Sequence, residues 1–542
     1  MSRERLYLFD TTLRDGAQTT GVDFKLADKR RVAQVLDDLG IDYIEGGYPG
    51  ANQTDTEFFA SPPSFKTACF TAFGMTKRAG RSVENDPGFQ GLLQSKSDAI
   101  CLVAKSWDYH VRVALGISNE ENIEGVRESI TAVVASGREA MLDAEHFFDG
   151  YKANKDHALQ VVQAAYDAGA RWVVLCDTNG GTLPHELERI VKEALEYVPG
   201  AHLGIHTHND TENAVSNSLV AVRAGCRQVQ GTLNGLGERC GNANLTSIIP
   251  TLLLKNEYAD RFETKVTPER LRTLTHASRV LDEVVNQSPY RHAPYVGESA
   301  FATKAGIHAS AILKDPDTYE HISPESVGNQ RRVFVSDQGG RSNIMAELDR
   351  LGIAVDKDDP RIPSMLDAVK RREAQGYSYE SADASFELLA RRELGQVPQY
   401  FSVDSFRVMV ERRHNARGQL VTISEATVKV FINGDPAPLW SVSEGNGPVN
   451  ALDSALRKDL GRYQSHIAEV ELVDYKVRIL TAGGGTEAVT RVLVESHDRS
   501  TGERWLTVGV SPNIIDASFE ALVDSINYKL MKDGAGAASH VA

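Results

Sequence analysis

The sequence predicts an α/β chain: a (βα)8 TIM barrel, then a mainly helical linker region and a C-terminal α+β domain. Three observations predict it. Short β-branched or apolar runs alternate with segments of helical period through about 260 residues, the size of such a barrel. Polar clusters recur just after several different strands, on the side where barrel chemistry sits. Beyond Pro398 the pattern changes to the two-residue alternation of half-buried strands. A doubly wound open sheet shares the first feature, but the count of eight and the spread of the clusters favour the barrel. A chain of 542 residues is too long for one core in any case.

Taken in order, residues 6–10 read as the first strand and 26–39 as a helix with Val32, Val35, Leu36 and Leu39 on one side. Strands follow at 41–45, 65–70 and 99–104, then a helix at 119–136 and a strand at 140–145. Residues 156–168 are helical, 172–176 extended, and a helix runs over 184–197. Strand 203–208, helix 213–224, strand 228–233 and helix 245–254 complete the barrel. Residues 267–285 read as one long helix and 289–297 as a proline- and aromatic-rich break, with short helices at 343–351 and 362–374. Antiparallel strands are expected at 401–411, 421–432, 470–481 and 490–495, with helices at 449–460 and 514–531. GGGT at 483–486 lacks a P-loop lysine and reads as a turn. The expected domains are 1–285 (barrel), 286–397 (linker) and 398–533 (regulatory and dimerisation), before a disordered tail at 534–542.

Composition narrows the function. A net charge of -15 argues against a nucleic-acid partner, which wants a basic face. No apolar run approaches the roughly 18 residues of a membrane span. MSRERLYLFD shows no signal-peptide core, and the five cysteines are scattered without a CxxC. A reduced, cytoplasmic protein is the expectation.

The chemistry gathers at strand ends. In LGIHTHND, His206 and His208 lie two apart, so in a strand they share a face, Cβ atoms about 7 Å apart. Both imidazoles can then converge on one divalent cation through bonds of about 2.1 Å, the alternative being a pair of ordinary histidines near a strand end. Asp15 of DTTLRDGAQ adds a carboxylate and Asn242 of GLGERCGNAN an amide oxygen. This mixed set suits Mn²⁺, Zn²⁺ or Mg²⁺ and leaves positions for the keto and carboxylate oxygens of a 2-oxo acid. Arg14 is placed to stabilise an alkoxide or enolate oxygen, Thr178 to hold the substrate carboxylate, and Glu145 to hold the nucleophile or relay a proton. Gln18 and Glu238, in the same motifs, are expected to support the ligands from behind. Tyr48 at the mouth would shrink the pocket towards a methyl-sized side chain, and Asp143, of the same inward parity as Glu145, is a further polar pocket residue. His308 lies among small residues, with Tyr319 beyond it. Lys304, Lys314, Arg331, Arg332 and Arg341 make that region basic, as a solvated face or to meet an anionic cofactor tail.

FDTTLRDGAQ, HTHND, GLGERCGNANL and KAGIHASAILKD together resemble the family of 2-isopropylmalate, homocitrate and citramalate synthases. GGGTEAVTRVLVES and VGVSPNIIDASFEAL resemble its regulatory domain, so the resemblance covers nearly the whole chain. It implies a metal-dependent Claisen condensation of acetyl-CoA with a 2-oxo acid, then thioester hydrolysis. It assigns the metal to Asp15, His206, His208 and Asn242, and the keto-acid pole to Arg14, Glu145 and Thr178. It makes His308 and Tyr319 candidates for acetyl-CoA activation, in a linker laid over the neighbouring subunit's active site. A homodimer regulated by an amino acid, isoleucine, is expected with it. The loop EGGYPGANQTDTEFF resembles the citramalate-type members, which implies pyruvate as acceptor and a place in isoleucine formation. Asp143 departs from the apolar or aromatic lining expected in some of them. The alternatives are 2-oxoisovalerate as acceptor, a related lyase that would lack the C-terminal module, and a catalytically silent amino-acid sensor. The intact Asp15, His206 and His208 set speaks against the last.

Overall fold

The computed structural model describes residues 3–333, 340–379, 382–433, 435, 437–480 and 488–536. Two compact units emerge, one of residues 1–301 with 321–331, the other of 302–320 with 332–542.

The first unit is a closed barrel of eight parallel strands: β1 (Tyr7–Asp10), β2 (Tyr43–Gly47), β3 (Cys69–Met75), β4 (Ala99–Lys105), β5 (Glu139–Glu145), β6 (Trp172–Asp177), β7 (Leu203–Thr207) and β8 (Gln228–Gly231). Closure is made by β1, which pairs Phe9 with Tyr43 on one side and Tyr7 with Gln228 on the other. Helices α1 (Leu26–Leu39), α2 (Gln53–Ala60), α3 (Pro87–Gln94), α4 (Asn119–Ala135), α5 (Lys155–Asp167), α6 (Pro184–Ala194), α7 (Ala214–Ala224) and α8 (Leu245–Leu254) follow the strands in turn. Alternation along each strand sorts the side chains. Leu6, Leu8, Leu142, Val173 and Ile205 pack outward with the helices, while Phe9, Tyr43, Cys101, Met141, Trp172 and Val174 fill the lower interior. Higher up the inward positions turn polar: Glu45, Asp143, His206 and Gln230 are all buried there.

Three readings are corrected. The third strand is 69–75, not 65–70, because the N–H groups of Lys66, Thr67 and Ala68 donate to the buried Asp37 carboxylate at 2.7, 3.0 and 2.9 Å. The backbone there wraps a carboxylate and has no donors left for a ladder. The helix expected over 267–285 is two, Pro268–Leu271 and α9 (Leu274–Val284), since Thr273 closes the first by bonding Arg270 O through both its N–H and its hydroxyl. Helices α2 and α3 fall in stretches read as loop. Asn52 and Asp86 cap them, their side chains accepting from Asp55 N and from Gly88 N and Phe89 N.

In the second unit, α10 (Gly306–Ile312) precedes α11 (Arg341–Arg350), α12 (Arg361–Ala374) and α13 (Asp383–Glu393), which share a core of Ile344, Leu348, Ile362, Met365 and Phe386. Two antiparallel sheets follow: β9 (Phe401–His414), β10 (Leu420–Ile432) and β11 (Leu439–Gly445), then β12 (Val470–Ile479), β13 (Thr490–Asp498) and β14 (Arg504–Ser511). Ala426, Val428, Val430 and Ile432 of β10 and Val492 and Val494 of β13 turn inward against α14 (Pro448–Lys458) and α15 (Ile514–Lys532). The strands β11 and β14 and the helix α13 carry no clean period and were not expected. The turn at 483–486 lies outside the described residues. Among the described residues no helix is long and apolar enough to cross a membrane.

Candidate active site

The mouth of the barrel brings together Asp15, His206, His208 and Asn242, with Arg14 beside them. Asp15 follows β1, its N–H held by Thr11 O at 2.8 Å, so its carboxylate turns over the barrel axis. His206 on β7 and His208 just beyond its end, two residues on, meet it there. Asp15 Oδ2 lies 3.3 Å from His206 Nε2 and 4.0 Å from His208 Nε2, and the two Nε2 atoms are 3.2 Å apart. All three residues are buried.

Asn242 completes the cluster. An antiparallel bridge pairs it with His208, its Nδ2 donates to Leu236 O at 3.0 Å, and its buried Oδ1 has no partner among the described residues. An orphaned acceptor beside two imidazoles and a carboxylate is the environment a cation supplies. Gly237, with φ +157°, makes room for it, since a Cβ there would come within 2.2 Å of Asn242 Nδ2.

Protonation follows from the same geometry. Burial pushes Asp15 up, but Arg14 and the histidines outweigh it and hold the carboxylate well below its ordinary range. Burial, then the neighbouring His206, presses His208 down to about 3. His206 is raised, because Asp15 overcomes the burial that opposes its charge. An ionised carboxylate and a neutral imidazole are the states metal ligands need, and a proton between Asp15 and His206 stands where a cation would bind.

Arg14 sits beside this cluster on two supports. Its Nε donates to Glu45 Oε2 at 2.7 Å, and its guanidinium lies 4.0 Å above the Phe73 ring. Burial works against its charge, but Glu45 and Asp15 raise its proton affinity beyond any working pH. Glu45 is fully buried and also accepts from Thr11 Oγ1 at 2.5 Å. Burial raises the Glu45 carboxyl against Arg14, with Asp143 adding to the rise. Glu45, Cys101 and Asp143 lie within 4.8 Å of one another.

The other expected residues take separate places. Tyr48 packs edge-on against Phe73, ring centroids 6.1 Å apart, on the rim by Arg14. Thr178 Oγ1 accepts from His146 N at 2.9 Å and keeps its own O–H to donate; His146 is left-handed there, φ 55°. Glu145 is ion-paired with Lys105, about a quarter exposed. His308 and Tyr319 belong to the second unit, where their rings lie tilted against each other with centroids 4.3 Å apart. Two residues are not brought against the ligands. Gln18 is exposed because the 3-10 turn Gly16–Gln18 carries it outward, and it contributes only a backbone N–H to Asp15 O. Glu238 is also exposed and pairs with Arg239, which clasps Asp210 and Thr178 O instead.

The sequence assigns no role to three functional neighbours, Glu45 reading only as an acid at a strand end. Glu45, the partner of Arg14, shares the inward parity of Tyr43. Gln230 binds His206 Nδ1 at 2.9 Å and shares the parity of Gln228. Lys29, a lysine on the apolar stripe of α1, is buried beneath the loop that carries Arg14.

With this geometry in hand, the chain was compared with known proteins. Residues 5–277 match the HMGL-like family, 295–376 the homocitrate synthase post-HMGL domain-like family, and 380–530 the LeuA allosteric (dimerisation) domain. The chain is 49% identical over 532 residues to an (R)-citramalate synthase of Aquifex aeolicus, covering 98% of each. It is 50% identical over 527 residues to an (R)-citramalate synthase of Geobacter sulfurreducens, covering 97% of each. A 2-isopropylmalate synthase of Bradyrhizobium diazoefficiens is 30% identical over 540 residues, 98% of this chain and 96% of that one.

Proposed function

Because the chain belongs to the (R)-citramalate synthase family, within the HMGL-like group, we propose that it condenses acetyl-CoA with pyruvate and releases (R)-citramalate and CoA. The observation that carries the chemistry is the convergence of Asp15, His206 and His208 with the partnerless Oδ1 of Asn242. These four residues would hold a divalent cation, Mn²⁺, Zn²⁺ or Mg²⁺, whose contribution is to polarise the keto group of the 2-oxo acid.

The rest falls to side chains. Thr178 donates its free O–H to the substrate carboxylate. Arg14, with Nε committed to Glu45, turns its remaining N–H groups to the keto oxygen and stabilises the negative charge that develops as the new C–C bond forms. Glu145 relays a proton at the same end. His308, backed by the Tyr319 ring, takes a methyl proton from acetyl-CoA, and water then cleaves the thioester. Phe73 and Tyr48 wall the acceptor side with aromatic rings, which suits the methyl group of pyruvate better than a branched chain. The LeuA-type domain supports a homodimer under feedback control, with isoleucine as effector in isoleucine formation.

The test is thiol release from acetyl-CoA with pyruvate, 2-oxoisovalerate and 2-oxoglutarate, with and without a chelator. Pyruvate-dependent release that the chelator abolishes and isoleucine lowers is expected. Fastest turnover with 2-oxoisovalerate would make the chain a 2-isopropylmalate synthase; no release with any acceptor would leave an amino-acid sensor.

A further inference from the structure

Two inward side chains touch neither substrate nor cation yet decide how His206 presents itself. Gln230 on β8 is fully buried and Asp143 on β5 is 4% exposed. Gln230 Nε2 donates to Asp143 Oδ1 at 3.0 Å, and Gln230 Oε1 lies 2.9 Å from His206 Nδ1. A carboxylate oxygen that takes the amide N–H at this distance accepts, so Asp143 dictates which end of the amide faces it. The amide oxygen is thereby turned to His206, where only an N–H answers it. Nδ1 is committed to donating, and Nε2 becomes the nitrogen offered to Asp15, His208 and whatever they bind.

We propose that Asp143 and Gln230 form a positioning chain that locks the Nδ1–H form of His206, making Gln230 a determinant of cation affinity at the Asp15–His206–His208 site. Without the Asp143 carboxylate the amide is free to turn over. Gln230 would then donate to Nδ1, the imidazole proton would move to Nε2, and the nitrogen facing the site would lose its lone pair. Asp143 thus acts through two links, and its place beside Cys101 and Glu45 is secondary to this role. The inference rests on the cation reading given above.

The experiment is a Mn²⁺ titration of the full chain, followed by electron paramagnetic resonance, with circular dichroism melting as a fold check. Gln230→Met is expected to weaken Mn²⁺ binding about 10- to 100-fold, the range for losing an outer-shell partner of a ligating histidine. Gln230→Glu alone sets two carboxylates against each other and weakens it too. Asp143→Asn with Gln230→Glu moves the charge one link closer, where the new carboxylate accepts from both neighbours, and returns affinity to within about threefold of the parent. In the Zn²⁺-loaded parent, nitrogen-15 spectra show a slowly exchanging Nδ1–H on His206, which Gln230→Met loses. Should Gln230→Met fail to fold, the double variant against Gln230→Glu decides. Equal Mn²⁺ affinity in Gln230→Met, or a double variant no tighter than Gln230→Glu, overturns the chain while leaving the site standing. A parent that takes up no Mn²⁺ removes both.

Discussion

Lys29→Met should loosen the loops that carry Arg14 and Glu45 without touching either. The Lys29 ammonium donates to Leu13 O at 2.9 Å and to Gly46 O at 2.8 Å, and is ion-paired with Asp55, whose other oxygen accepts from Tyr48 N at 2.9 Å. One buried charge therefore joins the loop after β1, one residue from Arg14, to the end of β2, one residue from Glu45. Burial lowers the proton affinity of Lys29, and Asp55 works against that fall. Methionine has nearly the same shape but strands a buried carboxylate and two carbonyls. Removing one member of a buried pair costs about 3–5 kcal/mol. At the roughly 2–4 °C per kcal/mol of a domain near this size, the barrel transition falls by about 6–20 °C. A shift of the Arg14 loop by an ångström lowers kcat/KM for pyruvate up to about 100-fold. Adding Asp55→Asn relieves the stranded charge and recovers part of the stability. Scanning calorimetry and thiol release read both effects. A melting point within about 2 °C of the parent, with kcat/KM unchanged, would refute the reasoning.

Arg14→Lys keeps the charge but cannot grip Glu45 and present N–H groups to the keto oxygen at once. Steady-state kinetics should show kcat down about 10²- to 10³-fold with KM for acetyl-CoA unmoved. Asp10 is raised by burial to about 7, against its bonds from Thr12 N and Oγ1, so the stability it contributes is full below its unfolded value of 3.8 and lost as pH rises through 7. Melting points from pH 4 to 8 should therefore fall less steeply in Asp10→Asn than in the parent. Trp440 is 64% exposed on a sheet that also bares Met409 and Val442, the face a second copy would cover in a LeuA-type dimer. Trp440→Asp should yield monomers in sedimentation velocity; an undiminished dimer would place the interface elsewhere.

What the sequence made legible was whatever a short-range period carries. His206 and His208 share a face because strand residues two apart must, and the eight alternations, with polar clusters at one end, favoured a closed sheet over an open one. What stayed hidden depends on closure. Gln230 and Asp143 are 87 residues apart and meet only because β8 and β5 face each other across the barrel. Glu45 reads as one more rim acid until Arg14 is seen folded back onto it. The misplaced third strand has the same origin: Phe65 looks like the start of a run, but its ring packs on Phe70 at 5.3 Å while the intervening N–H groups serve Asp37, a residue on another element. Gln18 and Glu238 show the converse. Membership of a motif put them near the ligands in sequence, and the turns that follow carry both to the surface.

The charge of the interior fixes the order of events. Asp15, Glu45 and Asp143 all press on the single guanidinium of Arg14. At the effective dielectric of such a site, two unit charges about 4 Å apart interact by roughly 4 kcal/mol. A 2-oxo acid entering with its own negative charge meets more repulsion than one arginine offsets. Glu45 relieves part of this by its raised proton affinity, driven first by burial. A divalent ion held by Asp15, His206 and His208 would reverse the sign at this site, so cation binding is expected to precede the acceptor. Calorimetric titration of the chelated protein with pyruvate should then show no measurable heat, and full binding once Mn²⁺ is restored. Pyruvate that bound equally well to the chelated protein would mean that Arg14 and Thr178 suffice, and that the carboxyl groups around them are protonated or turned away.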